Sequence, residues 1–281
     1  MMAIAFPSFI DPVAFSLGPL DVYWYGLAYA AGYLVCWQLA KSLARRAQGA
    51  QGVQGVQGAQ KVRAAQDTPS ITPADIERFF LWSLLGGVLG GRLGYTLIYQ
   101  PGYYLAHPIE VFALGQGGMS FHGGLLGFII ALGLFAWRSR RPFWPLADLV
   151  ALVVPLGLMF GRLANFANQE LYGRVTGVPW AVIFADGLPR HPSQLYQAAG
   201  EGALLFAILY LLYPRVGHAP GVLTGAFLLG YGVLRGGVEF FRAPDVHLGL
   251  LLGQLTLGQW LCVPMIALGA GLIIWRRAHG S

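Results

Sequence analysis

Seven stretches of about 20 mostly apolar residues dominate this chain, at roughly 22–44, 78–98, 118–137, 145–164, 194–213, 220–240 and 255–275. A helix that crosses a bilayer needs about 20 such residues. The pattern therefore predicts an all-α polytopic membrane protein with about seven transmembrane helices, forming one integral domain over residues 1–281. Charge content agrees: only 11% of the residues are charged, against about 25% in an ordinary soluble domain. Too few charges remain to cover a soluble body of this length. That excludes a soluble globule, a disordered chain and a nucleic-acid-binding domain of ordinary type. Residues 1–20 have no basic stretch and contain Pro7, Asp11, Pro12 and Pro19, so they read as a short arm and not as a signal peptide. Cys36 and Cys262 lie in apolar stretches and offer neither a disulfide framework nor a metal cluster.

The basic residues set an orientation. Lys41, Arg45, Arg46, Lys61, Arg63 and Arg78 fall between the first two stretches. Arg138, Arg140 and Arg141 follow the third, Arg215 the fifth, and Arg276 with Arg277 the last. These twelve of the 18 basic residues occupy alternate loops, and the positive-inside rule makes that side cytoplasmic. The N-terminus is expected outside and the C-terminus in the cytoplasm. On this reading the net charge of +6 reports topology and implies no polyanionic partner such as nucleic acid. Residues 45–77 become a cytoplasmic loop, with a Gln/Gly tract at 48–60 expected to be flexible. Residues 165–193 become an extracytoplasmic cap, with a short hairpin expected near Asp186-Gly187.

The six other basic residues are Arg92, Arg162, Arg174, Arg190, Arg235 and Arg242. They lie within spans, at outer ends or in outer loops, where positive charge is disfavoured at roughly 2.5–3.5 kcal/mol in mid-bilayer. Pairing with carboxylates or snorkelling to headgroups would account for some of them. Six arginines and no lysine point instead to a site for an anionic headgroup, most naturally a phospholipid, because the planar fork grips phosphate with two parallel hydrogen bonds. On a continuous helix, Tyr231, Arg235, Glu239 and Arg242 would share about 80° of one face. An Arg235–Glu239 pair that glues helices together explains the same spacing. Arg162, Asn165 and Asn168 would likewise share a face beside Glu170, to hold a headgroup or to cap a helix end. His122, framed by glycines in Gly117-Gly118-Met119-Ser120-Phe121-His122-Gly123-Gly124, is a candidate general base or a structural histidine. His191 is a second candidate. Tyr25 reads first as part of an aromatic belt, and Arg92 as a buried arginine in a glycine-lined helix contact.

These residues also carry a resemblance. Gly161 to Gly173 resembles the signature G-R-x-x-N-F-x-N-x-E-x-x-G of bacterial prolipoprotein diacylglyceryl transferases, with every fixed position present. Gly118 to Gly124 resembles that family's H-G-G motif, and Arg190-His191-Pro192-Ser193-Gln194-Leu195-Tyr196 its R-H-P-S-Q-L-Y motif. Tyr231 through Arg235, Glu239 to Arg242 and Pro244-Asp245 are similar to its late arginine motif. Tyr25-Gly26, Gly91 to Tyr95 and Leu257-Gly258-Gln259 fit further positions. Gly236 departs from the family's usual Phe, and the Gln/Gly tract has no counterpart in it.

The resemblance implies a seven-span enzyme of the bacterial cytoplasmic (inner) membrane, active towards the outer leaflet. It implies transfer of the diacylglyceryl group of phosphatidylglycerol to the lipobox cysteine of a preprolipoprotein signal peptide. A thioether forms and glycerol phosphate leaves, with membrane lipids as surroundings and no cofactor or metal. Arg162 and Arg235 would hold the phosphate, and His122 would be the base or orient the thiol. His191 or the arginine field could do that work instead. Asn165, Glu170 and Glu239 would fix the headgroup and the arginines, beside Arg242. Tyr25 and Tyr231 would line the site, and Gly173 would permit a tight turn over it. A transporter with intramembrane Arg and Glu, or a lipid-binding scaffold without turnover, are the rival classes.

Overall fold

Long apolar runs form helices here, because a helix satisfies its own backbone where no water is at hand. A computed structural model describes residues 3–7, 12–18, 20–57, 70–113, 117–216, 219–243 and 255–279. Lys61, Arg63, the remainder of the Gln/Gly tract from 58, and Pro244-Asp245 lie outside the described residues. Four helical segments among the described residues are long and apolar enough to cross a membrane: Phe121–Arg138, Phe143–Ala167, Ser193–Val216 and Leu257–His279. The protein is thus mostly helical and polytopic. The contacts divide the chain into two compact units, Met1–Gln38 with Asp148–Ser281, and Leu39–Ala147.

Helix α1 (Trp24–Gln57) runs from one unit into the other. It continues past the expected edge at 44, so the Gln/Gly tract is helical through Gln57 where a flexible loop is expected. Its Ala and Gln residues favour a helix, which offsets the roughly 1 kcal/mol that each glycine costs.

In the second unit, α2 (Pro73–Ile98) opens with a Thr72–Asp75 capping box. The buried Asp75 also pairs with Arg141 at 2.9 Å. Next come α3 (Pro101–Ala106), a 3-10 turn at Pro108–Phe112, and α4 (Phe121–Arg138). Helices α2 and α4 touch through glycines one turn apart. A Cβ on Gly94 would lie 2.7 Å from the Gly123 Cα, and one on Gly90 2.8 Å from the Gly127 Cα. Such small-residue stripes let two backbones approach closely inside a membrane.

In the first unit, α5 (Phe143–Ala167) leads into the cap. Then α6 (Ser193–Gln197) passes through a π-helical turn, Ala198–Leu204, into α7 (Leu205–Val216). Helices α8 (Val222–Val238) and α9 (Leu257–His279) complete the unit. Asp148 of α5 anchors the start of α8, accepting from the Gly221 N–H at 2.6 Å and the Thr224 N–H at 2.7 Å.

Five short strands lie among the described residues; those flanking Asp186-Gly187 form a hairpin where one is expected, and the others correct the all-helical expectation. Strands β2 (Val13–Leu17) and β3 (Leu20–Tyr23) make an antiparallel hairpin where only an arm was expected. Gly18 takes φ +62° at its tip. Strand β1 (Ile4–Ala5) pairs parallel with β4 (Val182–Ile183), and β4 pairs antiparallel with β5 (Pro189–Arg190) across a turn at Asp186-Gly187. Phe6, Phe166, Tyr172 and Phe184 make ring contacts with centroids within 6 Å in pairs, and so pack β1 and β4 against the end of α5. The strand content arises because residues outside the apolar helices must still pair their backbone groups.

Candidate active site

Three guanidiniums and two carboxylates meet in the first unit. Arg162 comes from α5, Arg235 from the last turn of α8, and both face Glu201 in the π turn. Arg162 Nη2 stands 3.7 Å from Glu201 Oε2, and Arg235 Nη1 stands 3.9 Å from Glu201 Oε1. Arg235 makes a closer ion pair with Glu239, at 2.6 Å, and Arg242 lies 3.8 Å from the same Glu239 oxygen. The Thr256 hydroxyl donates to the other Glu239 oxygen at 3.0 Å. A Cβ on Gly258 would lie 2.8 Å from that oxygen, so the start of α9 closes over the carboxylate only because residue 258 has no side chain. Glu201 is fully buried, and Arg235 and Glu239 are nearly so.

Charges this deep persist only in company. With both acids ionised, the cluster carries one net positive charge. Both arginines stand beyond hydrogen-bond distance of Glu201, whose carboxylate lies beside the Gln197 amide. Arg162 and Arg235 are therefore drawn towards Glu201 by charge without closing a fork on it, which leaves N–H donors between them for a further anion.

The π turn matters to this placement, since such turns are rare and concentrate at functional sites. A Cβ on Gly202 would lie 2.5 Å from the Met159 Cβ. The neighbouring helices thus approach one turn before Arg162, which brings Glu201 within its reach.

The signature at the end of α5 builds the adjoining loop. The helix stops at Ala167, so Asn168 sits in the following turn and not on the helical face with Arg162 and Asn165. Glu170 lies between Gln169 and Leu171, both at φ +54°. Left-handed backbone at a residue with a side chain costs about 1 kcal/mol or more, so it must be held. The holding groups are visible. Glu170 N–H donates to Asn165 O at 2.8 Å, Ser193 Oγ to Leu171 O at 3.1 Å, and Gln194 Nε2 to Glu170 O at 2.6 Å. The Glu170 carboxylate accepts from Asn165 at 3.3 Å and Asn168 at 3.4 Å. It faces an open pocket lined also by Asp21, Tyr23 and Tyr25. Tyr25 donates to the Tyr29 hydroxyl at 3.2 Å and lies within the fields of both Glu170 and Arg162. Tyr231 lies one turn before Arg235 on α8 and stacks on Phe227.

Two expectations change. Tyr231, Arg235, Glu239 and Arg242 do not form one helical stripe. Helix α8 ends at Val238 with Glu239 as its C-cap, and Arg242 makes an antiparallel bridge to Gly173. Gly173 is not needed for a left-handed turn, since it has no positive φ. A Cβ there would lie 2.5 Å from Phe241 O, 2.6 Å from His191 O and 2.7 Å from His191 Cβ. Three strands of backbone cross at this point, and only hydrogen fits between them.

The six arginines Arg92, Arg162, Arg174, Arg190, Arg235 and Arg242 separate into two sets. Arg92, Arg174 and Arg190 are structural. Arg92 donates to the carbonyls of Glu110, Val111, Ala113, Gly117 and Gly118 at 2.6–3.2 Å, and so gathers the loop between α3 and α4. Arg174 Nε donates to Arg242 O at 3.0 Å. Arg190 pairs with Asp186 at 2.6 Å, donates to Gly173 O at 3.0 Å and covers the Tyr172 ring. The ionic cluster holds the other three, Arg162, Arg235 and Arg242.

The histidines differ in surroundings. Trp180 Nε1–H can only donate, and it bonds the Tyr196 hydroxyl at 2.7 Å. That hydroxyl also shares a hydrogen bond with His191 Nδ1, 3.1 Å away. Burial holds the His191 pKa below its ordinary value. Burial and the Tyr196 hydroxyl thus define the surroundings of the His191 ring. His122 belongs to the second unit, exposed in the first turn of α4 behind the Ser120 N-cap, its ring edge-on to Phe121.

Residues 12–275 match the family model for prolipoprotein diacylglyceryl transferase. The chain belongs to the prolipoprotein diacylglyceryl transferase family. Among relatives named phosphatidylglycerol–prolipoprotein diacylglyceryl transferase, that of Bordetella parapertussis is 48% identical over 269 residues, covering 95% of each chain. The one from Paramagnetospirillum magneticum is 44% identical over 284 residues, covering 99% of this chain and 98% of its own. The one from Aromatoleum aromaticum is 48% identical over 272 residues, covering 95% and 96%. Membership in a diacylglyceryl transferase family supports the transferase reading and not the transporter. Sequence reasoning missed Glu201, and with it the tie between Arg162 and Arg235. The signal was present: a lone acid inside the apolar stretch 194–213.

Proposed function

We propose that this chain transfers the diacylglyceryl group of phosphatidylglycerol to the lipobox cysteine thiol of preprolipoproteins. The reaction runs in the bacterial cytoplasmic membrane, on the outer-leaflet side of a seven-span bundle with its N-terminus outside. The observation that carries the reading is the convergence of Arg162 and Arg235, from separate helices, on one buried carboxylate. Two forks that share a single small anion are placed to share a phosphate.

The chemistry asks for that placement. The substrate's sulfur attacks the diacylglyceryl carbon bound to phosphate oxygen. The S–C bond forms, the C–O bond breaks, and its electron pair stays on the oxygen of departing glycerol phosphate. The phosphate thus goes from one negative charge to two, and preorganised guanidiniums in a dry site stabilise that growth. The thiol must lose its proton, since thiolate is the nucleophile. The family resemblance assigns that proton to His122, which lies in the second unit. His191, hydrogen-bonded through Nδ1 to the Tyr196 hydroxyl, is the alternative. Asn165 and Glu170 hold the headgroup glycerol beside Tyr25, Tyr231 lines the site, and Glu239 with Thr256 fixes Arg235 next to Arg242.

Incubation of the purified chain with phosphatidylglycerol vesicles and a lipobox peptide tests the reading. The expected result is a peptide heavier by one diacylglyceryl group, with glycerol phosphate released in equal amount. No mass gain, with a validated homologue active in parallel, would overturn it.

A further inference from the structure

Glu201 has no place in the mechanism as given so far, yet its setting is unusual. It is fully buried in a rare π turn, lies beside the Gln197 amide and faces two arginines that do not close on it. A carboxylate that served only to tie helices together would be chelated by its arginines, because an unsatisfied buried oxygen is costly. Here the guanidiniums stand off at 3.7 and 3.9 Å, close enough for charge to act and too far for a fork to close.

We infer that Glu201 is a positioning residue whose negative charge limits the arginine pair's hold on the phosphate product, so that product leaves. The inference rests on the transferase reading. Charge counting gives the reason. With Glu201 and Glu239 ionised, the cluster carries one net positive charge. That charge neutralises the monoanionic phosphodiester of the substrate. After the C–O bond breaks, the same cluster faces a dianion, and one negative charge is left uncompensated. Without Glu201 the cluster would carry two positive charges and would match the product instead of the substrate. An active site complementary to its product releases it slowly.

The test compares Glu201→Gln with the wild-type chain in detergent, by calorimetric titration with glycerol phosphate and with inorganic phosphate, alongside steady-state kinetics. Glu201→Gln is expected to bind glycerol phosphate about ten-fold or more tightly, since one charge is removed within a few ångströms of a dianion. The monoanionic substrate feels about half the change, so KM should fall by roughly the square root of that factor. Turnover should fall and a burst of first-turnover product should appear, as release becomes limiting. Glu201→Asp keeps the charge and should keep the wild-type affinity for glycerol phosphate. Unchanged or weaker glycerol phosphate binding in Glu201→Gln would overturn the inference. If that variant does not fold, wild-type inhibition decides: a glycerol phosphate Ki below the KM for phosphatidylglycerol would overturn it, and a Ki above KM supports it. A wild-type chain that forms no thioether refutes the transferase reading alone, because the binding comparison still reports on the Glu201 charge.

Discussion

Replacing Gly173 by alanine adds one carbon where three backbone segments cross. That carbon would lie 2.5 Å from Phe241 O and 2.6 Å from His191 O, against 3.4 Å or more for an ordinary contact. The segments must separate by about 0.9 Å, and no rotamer can absorb the shift because the two nearest opposing atoms are backbone. The crossing is also tied on every side. Gly173 N–H donates to His191 O and Arg174 N–H to Phe241 O, each at 2.9 Å, and Arg190 donates to Gly173 O at 3.0 Å. Overpacking alone costs about 1–3 kcal/mol, and loosening one or two of these bonds adds about 1 kcal/mol each. The cap should lose about 2–5 kcal/mol of local stability. Activity should fall by about a hundred-fold or more, since Arg242 and the Glu170 loop are anchored through the same crossing. Limited proteolysis across 171–191 and the lipobox-peptide assay measure the two effects. Gly237→Ala is the control: it sits in α8 with nothing within 4 Å of the added carbon, and alanine favours a helix. Wild-type protection and wild-type turnover in Gly173→Ala would refute the crowding argument.

Further outcomes follow from the same geometry. Arg235→Lys should lose at least ten-fold in kcat/KM, because one ammonium cannot hold Glu239 and a phosphate together as a fork does; wild-type rates would sink the two-fork reading. Arg92→Lys keeps the charge but has three donors for five carbonyls, so amide exchange at 108–113 and 117–118 should quicken; unchanged exchange would remove Arg92 as the organiser of those segments. Burial lowers the His191 pKa, so the unfolded cap takes up a proton that the folded cap resists. Cap stability should therefore hold above about pH 6.5 and fall as pH drops below it. His191→Gln should flatten that slope, as read by proteolysis at pH 5 to 8. His122→Gln should abolish the acidic limb of the pH–rate profile if His122 takes the thiol proton; an unaltered profile with full activity would exclude it.

Much of the architecture could be read from apolar length alone, because a membrane leaves helices few alternatives. Boundaries were harder. Helix α8 stops at Val238 although its polar residues continue in helical register to Arg242. Gly236 and Gly237 weaken its last turn, and Arg242 gains more by bridging to Gly173. The hairpin of β2 and β3 was hidden for a different reason. Its residues, Val13–Leu17 and Leu20–Tyr23, are short and adjoin a long apolar run, so period-two patterning is swamped. The signature after Arg162 was legible as a motif. Its mechanics were not, because Ser193 and Gln194 hold Glu170 from more than twenty residues away.

The arginines and the acid teach opposite lessons about charge in a span. Six arginines away from the topology-setting loops suggested one site, yet three of them serve backbone carbonyls or a surface aspartate. A long guanidinium can reach a carbonyl or a headgroup from many starting points, so its presence in a span identifies no particular partner. Glutamate has a shorter stem and no fork, and when ionised it can only accept. Inside an apolar helix it persists where donors or cations are brought to it. Glu201 drew Arg162 from α5 and Arg235 from α8, and a π turn aims it between them. In span five the lone acid was therefore a more selective pointer to the site than any of the six arginines, and it identifies which of them belong together.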